Sequence, residues 1–185
     1  MNTPAYDLAE GLLSLGWRLD PERHKAWVHQ SFRLARGDAH LSVLIQAVGK
    51  LDAILCALER DAVLIMTSTE TSRAPFGPDF QVVLSSAWIS QAYEVVRTIA
   101  HNTDDEDLRA LKVKLSLVRM PMFKGEIAYT NRAREPGTPS RPMTKIGLND
   151  GSVVWQVERK LGDEVDISRR DIADRIIALK IADAT

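Results

Sequence analysis

The stretch Asp38-Ala39-His40-Leu41-Ser42-Val43-Leu44-Ile45-Gln46-Ala47-Val48-Gly49-Lys50-Leu51-Asp52-Ala53-Ile54-Leu55-Cys56-Ala57-Leu58 decides the fold class. Leu41, Leu44, Ile45, Val48, Leu51, Leu55 and Leu58 recur at steps of three and four, the period of a helix with one apolar face. Asp38 supplies an N-cap and Gly37 a stop for whatever precedes it. This is the strongest helical stripe in the chain, and it reads as core packing.

The segments on either side continue the helical pattern. Upstream, Asp20-Pro21-Glu22-Arg23 reads as an N-cap followed by proline at the first helical position. Ala26, Trp27, Phe32 and Leu34 then mark a helix to about Arg36. Earlier still, Leu8, Leu12, Leu13 and Leu15 form a short apolar face that Gly16 ends. Downstream, residues 62–66 fit either a short strand or a helix tail, and residues 67–79 are loop chemistry. A helix over 80–101 places Trp88, Ile89, Ala92, Tyr93, Val95, Val96, Ile99 and Ala100 on one arc, with Ser90, Gln91, Glu94, Arg97, Thr98 and His101 on the other. Thr103-Asp104-Asp105-Glu106 reads as a capping box for a helix carrying Leu108, Leu111, Leu115 and Val118 towards Pro121.

The pattern changes after Ile127. Residues 130–142 are rich in Pro, Gly and Arg, and three short β-prone segments follow at 144–148, 153–157 and 164–167. Asn149-Asp150-Gly151-Ser152 and Leu161-Gly162-Asp163 provide turns at hairpin spacing. Ser168 then caps a last helix with Ile172, Ile176, Ile177 and Leu179. The expected fold is mainly α (α+β): a helical bundle over 1–126 with a C-terminal antiparallel β-meander and a terminal helix over 143–182, in a single domain 1–185. Three strands are too little sheet to stand alone, so they are expected to pack against that last helix or the bundle.

Composition agrees with a globular chain. Of 185 residues, 45% are hydrophobic and 26% charged, a balance that excludes a disordered polar chain. The longest uninterrupted aliphatic run, Ala62 to Met66, is short of the ~20 residues a bilayer needs. Residues 1–7 lack the basic and apolar regions of a signal peptide, so none is expected there. Cys56 is the single cysteine, which excludes an internal disulfide and a Cys-rich zinc site. A cytoplasmic location is expected, with no membrane partner, no cofactor and no metal.

A net charge of −1 hides an asymmetry. Residues 61–108 carry a net −6 and residues 109–145 a net +7. The basic stretch is Arg109, Lys112, Lys114, Arg119, Lys124, Arg132, Arg134, Arg141 and Lys145. Such a run is either a phosphate-tracking surface on a nucleic-acid or anionic-protein binder or a solvated helix face and loop paired with the acidic segment before it; the second reading is preferred, since the pI near 6.4 is low for a dedicated nucleic-acid protein.

Several enzyme classes lack their minimum parts: there is no P-loop, no GxGxxG turn and no GxSxG elbow. His24 and His29 are five apart and do not converge on one helix face. Cys56 lies on the apolar stripe and reads as a buried structural thiol. The polar group of most interest is Glu94, Arg97 and His101, at steps of three and four on one helix face. It reads as a carboxylate–guanidinium–imidazole site or as a plain solvated face with one ion pair.

The stretch Ser86-Ala87-Trp88-Ile89-Ser90-Gln91-Ala92-Tyr93-Glu94-Val95-Val96-Arg97-Thr98 resembles a motif in a group of uncharacterised bacterial proteins. So do the segments 118–126, 151–157 and 164–174, and the likeness spans about residues 80–175. At a second level, an aromatic–acid–arginine helix followed by a helix ending in arginine is similar to HEPN domains over residues 80–126. That resemblance implies a helical bundle, often dimeric, and a metal-independent ribonuclease built from an arginine and a histidine four to six residues later. Arg119 matches the arginine, but Gly125 stands where the resemblance asks for histidine, and glycine cannot transfer a proton.

The expectation is therefore a non-catalytic HEPN-like protein that binds a partner, either a protein or RNA, with a homodimer also compatible. No residue is assigned as catalytic. The binding surface is expected to run through Glu94, Arg97, His101, Arg119, Lys124 and Glu126, where two helices lie antiparallel. Structural ion pairs Arg97–Glu126 or Glu94–Lys124 are the plainer alternative. A ribonuclease using Arg119 with His101 or a histidine brought by dimerisation, and a structural subunit of a larger assembly, are the competing functions.

Overall fold

In the computed structural model, the stripe of residues 38–58 lies in one long helix. The structure describes residues 7, 10, 11, 14, 17–68, 76–124, 143–160 and 163–180, apart from the side chains of 76, 77, 121, 123, 124 and 158–160. The Leu8–Leu15 face and the loop at 130–142 lie outside the described residues.

Helix α1, Pro21–Ala35, starts where the sequence places it: Asp20 accepts a hydrogen bond from the Arg23 backbone N–H at 3.2 Å, and Pro21 takes a first-turn position. Arg36 at φ 48° and Gly37 at φ 90° end it in the left-handed region. Helix α2, Ala39–Thr67, opens on Asp38, which accepts from the Leu41 N–H at 3.0 Å. The alternative at 62–66 resolves to a helix tail. A Cβ on Gly49 would lie 2.6 Å from Trp27 Cβ, so the α1–α2 contact is close enough to demand glycine.

Helix α3, Phe76–His101, begins a turn earlier than the sequence suggests, and helix α4, Glu106–Lys124, runs on through Pro121. The cap of α4 also differs. Asp105, not Thr103, accepts from the Leu108 N–H at 3.0 Å. Two aspartates between the threonine and the first helical residue offer stronger acceptors nearer the free N–H groups, which explains the shift.

Strands β1 (Met143–Ile146), β2 (Val153–Lys160) and β3 (Asp163–Ser168) form an antiparallel meander in the order β1-β2-β3. The register pairs Ile146 with Val153 and Trp155 with Ile167. Val153, Trp155, Val157 and Ile167 turn inward at a period of two and join the helical core. Helix α5, Arg169–Ala178, follows at once, with Ser168 accepting from the Asp171 N–H at 3.3 Å. The protein is therefore mainly α, with a small antiparallel sheet and a terminal helix.

One core unites these parts: Trp27, Ile45, Leu55, Trp88, Val96, Leu111, Trp155 and Ile172 are all buried within it. Phe32 and Leu44 are exceptions to the expected pattern, at 67% and 42% exposure. Phe32 sits five residues from Trp27, about 140° around the helix, so it cannot share the face that buries Trp27 and Leu34. By length and mean hydropathy α2 is apolar enough to cross a membrane, because its mean stays at 1.8 over an 18-residue window although no uninterrupted run is long; half of that window is buried in the fold.

Gly151 fixes how the meander sits on the bundle. It adopts φ +70°, and a Cβ there would lie 2.0 Å from the Glu59 carbonyl oxygen of α2. Its own carbonyl accepts from Gln81 Nε2 of α3 at 2.6 Å. The turn at 147–152 thus lies directly on two helices.

Candidate functional site

Two clusters of arginine and carboxylate stand out, one on the surface and one inside. The surface cluster starts from Glu94 and Arg97, three residues apart on α3, where Arg97 Nε donates to Glu94 Oε2 at 2.7 Å. Helix α4 returns along α3 and brings Arg119 Nη2 to 3.1 Å from Glu94 Oε1. The Arg119 guanidinium lies 4.7 Å above the Tyr93 ring centroid, a cation–π contact that fixes its plane. Glu94 therefore bridges two guanidiniums, one through each oxygen. Arg119 is 28% exposed against 52% for Arg97, so Arg119 is the seated cation and Arg97 the freer one.

Of the six residues expected from the sequence, the structure brings Glu94, Arg97 and Arg119 together. His101 is exposed at the end of α3, seven residues past Glu94 and so about 10 Å along the axis on the same face. Lys124 ends α4, with its side chain outside the description, and Glu126 lies outside the described residues. Among the described residues the ion pair that spans α3 and α4 is Glu94–Arg119, while the alternatives Arg97–Glu126 and Glu94–Lys124 both involve those undescribed positions. Tyr93 is the addition: it falls on the apolar arc in sequence, yet its ring carries Arg119.

Three cations of the basic stretch are paired. Arg109 meets Asp104, Arg119 meets Glu94, and Lys145 Nζ lies 2.6 Å from Asp166. The first two acids belong to the acidic segment before the stretch, as the solvated-face reading expects. Two surface depressions, one at Asp104, Glu106 and Arg109 and one of about 260 Å³ at Asp107, Arg175 and Lys180, include none of the six residues.

The interior cluster joins α2 to the C-terminal unit. Arg169, the first residue of α5, is fully buried, as are Asp52 and Glu59. Its guanidinium donates to Asp52 Oδ1 and, through Nε, to Glu59 Oε1 at 2.6 Å. Arg170 Nε adds a bond to Glu59 Oε2 at 2.8 Å. From the other side, Arg23 Nε and Trp27 Nε1 donate to Asp52 Oδ2 at 2.5 and 2.7 Å, and Arg23 Nη1 reaches Asp174 at 2.7 Å. Arg169 also lies 5.3 Å from the Trp88 ring centroid.

Burial alone would raise the Asp52 carboxyl, but Arg169 and Arg23 outweigh it and hold the group below the ordinary carboxylate range. Burial would lower Arg169 and Arg23, and the facing carboxylates push both upward instead. Cys56 sits 3.8 Å from Asp52 Oδ1, and burial together with that negative neighbour pushes its thiol up to about 11. The thiol is buried and structural, and it remains protonated near neutral pH. The three central charges have no solvent contact, so the cluster orients α5 and the meander rather than touching a ligand.

Sequence reasoning passed over this cluster. Its signal was present: Asp52, Cys56 and Glu59 fall at i, i+4 and i+7, one line along the most apolar helix, where unpaired acids would be costly. A buried acid line of that kind requires cations from elsewhere, and Arg169 and Arg170 at the start of the last helix supply them.

No family model, curated protein or solved structure matches the chain.

Proposed function

We propose that the protein is a non-catalytic, HEPN-like helical protein that grips an anionic group of a binding partner at the α3–α4 surface. The observation that supports this reading is Glu94 held between Arg97 and Arg119, with Arg119 seated on Tyr93. Two guanidiniums against one carboxylate leave a positive excess. Each retains N–H donors beyond those given to Glu94, in the planar fork that suits a carboxylate or a phosphate. Arginine does not surrender a proton near neutral pH, and Gly125 occupies the position where the resemblance asks for a proton-transfer group. Gripping, not bond cleavage, is the chemistry these side chains supply.

The test uses pure protein with a labelled single-stranded RNA oligonucleotide and a labelled glutamate-rich peptide, beside the Arg119→Ala variant. Expected is intact RNA, with binding of at least one probe that weakens about tenfold in the variant, equivalent to about 1.4 kcal/mol, and weakens further with added salt. RNA cleavage that Arg119→Ala abolishes would establish the ribonuclease instead. Binding of neither probe, or binding indifferent to Arg119, removes the anion grip.

A further inference from the structure

The Glu94–Arg97 pair is one end of a longer exposed stripe on α3. Phe80, Val83, Ala87, Gln91, Glu94, Arg97, Thr98 and His101 fall within about 120° of the helix circumference at 100° per residue. Phe80 is 48% and Val83 63% exposed, and Ala87 and Gln91 are exposed beside them. The buried residues Trp88, Ile89, Ala92, Val95, Val96 and Ile99 occupy the rest of the helix. The outward face thus reads, from its start, three apolar positions, a glutamine, and then the arginine–carboxylate cluster.

Exposed apolar positions at i, i+3 and i+7, here the large Phe80 and Val83 followed by the small Ala87, match the anchor pattern of a helix-to-helix contact. At the same end of the fold, Leu64, Ile65 and Met66 stand exposed on the last turn of α2. Five consecutive apolar residues, Ala62 to Met66, cannot all face one core: Ala62 and Val63 are half-buried and the last three stand outward. Charge marks the two ends of the stripe differently. Asp79 is exposed just before Phe80, whereas at the Glu94 cluster Arg97 and Arg119 outnumber the carboxylate by one charge.

Resting on the grip proposed above, we infer that the partner is a protein presenting an amphipathic helix. Its apolar residues cover Phe80, Val83 and Ala87, and its acidic residues reach Arg97 and Arg119. Phe80 and Val83 precede Glu94 by 14 and 11 residues, which is about 16–21 Å along α3. A partner helix lying along the stripe therefore carries its acids about 11–14 residues from its apolar anchors. A nucleobase can stack on one ring such as Phe80, but Val83 and Ala87 offer no ring, so the aliphatic part of the stripe favours a protein helix.

The experiment is selection from a displayed library of helix-prone peptides of about 24 residues, long enough to span that distance. The wild-type chain is the bait, followed by titration of the enriched peptides. Expected is enrichment of sequences with an apolar i, i+3, i+7 set and Asp or Glu about 11–14 residues away. Their affinity falls about tenfold for Val83→Asp and again about tenfold for Arg119→Ala. Val83 is solvent-exposed, so Val83→Asp keeps the fold, which circular dichroism checks; Ala87→Glu serves as a second variant of the same half.

Enriched peptides bound equally well by Val83→Asp and Ala87→Glu overturn the helix-docking inference, while a loss with Arg119→Ala leaves the anion grip standing. Indifference to Arg119→Ala sinks the grip itself. Failure to enrich any peptide, or Arg119-dependent binding of the RNA oligonucleotide alone, overturns the protein-helix partner.

Discussion

The two arginine clusters use the same chemistry under opposite conditions. Arg169 lies near the Trp88 ring between Asp52 and Glu59 with no solvent contact; Arg119 lies over the Tyr93 ring beside Glu94 at the surface. In the interior, desolvation is expensive, and every charge must keep its partners. At the surface, water screens the pair, and its net worth falls to about 0–1 kcal/mol. Burial rather than residue type therefore separates a cluster that fixes the fold from one free to exchange its partner. Glu94 can release Arg97 or Arg119 to an incoming anion at little cost, whereas Asp52 cannot release Arg169.

The comparison breaks most visibly at Asp52. Asp52→Ala removes the acceptor for Arg169, Arg23 and Trp27 Nε1 at once, and a loss of about 3–5 kcal/mol in urea unfolding is expected. A variant within 1 kcal/mol of wild type, allowing for ordinary scatter of about 0.5 kcal/mol, would mean that water or rearrangement satisfies these arginines. Next in size is Gly151→Ala, which places a methyl group against the Glu59 carbonyl at a positive φ. A loss of about 1–3 kcal/mol follows from the overpacking, and thermal melting reads it.

Proton linkage sharpens the contrast on the interior side alone. Cys56 in the folded chain ionises near 11, above its ordinary value. Its contribution is intact below the unfolded thiol value, about 8.5, and is lost as pH rises through the folded one, at about 1.4 kcal/mol per unit. Stability measured from pH 8 to 11 should fall, and Cys56→Ala should remove that part of the slope. The Asp52 carboxyl, held low, works the other way: its contribution is present above about pH 4 and fades as acid protonates it. The smallest effect belongs to Glu94→Gln, where stability should shift by less than about 1 kcal/mol while anion binding tightens, since a competing carboxylate is gone. Weaker binding would show that Glu94 contacts the partner itself.

Much of the architecture was legible because it rests on local rules. Asp20, Asp38 and Ser168 cap helices as their positions announce, and the period-two inward residues of β2 and β3 mark the meander. Capping failed at Thr103 because several acceptors competed within three residues, and spacing alone does not rank them. Phe32 illustrates a second limit: apolar content suggested burial, but helical phase assigns it outward. At the surface site, Glu94 and Arg97 were readable from i, i+3 spacing, whereas the Arg119–Tyr93 contact depends on how α4 folds back. The Arg169 cluster joins residues more than a hundred positions apart, a distance over which no local pattern carries information.

The separation of fold-fixing from partner-gripping arginine is tested most directly by urea unfolding of Arg169→Ala and Arg119→Ala in the same buffer. Arg169→Ala, which leaves Asp52 and Glu59 buried without their central cation, should lose about 3–5 kcal/mol, and Arg119→Ala less than about 1 kcal/mol. Equal losses in the two variants would contradict the assignment, because the surface arginine would then be holding the helices together rather than standing ready for a ligand.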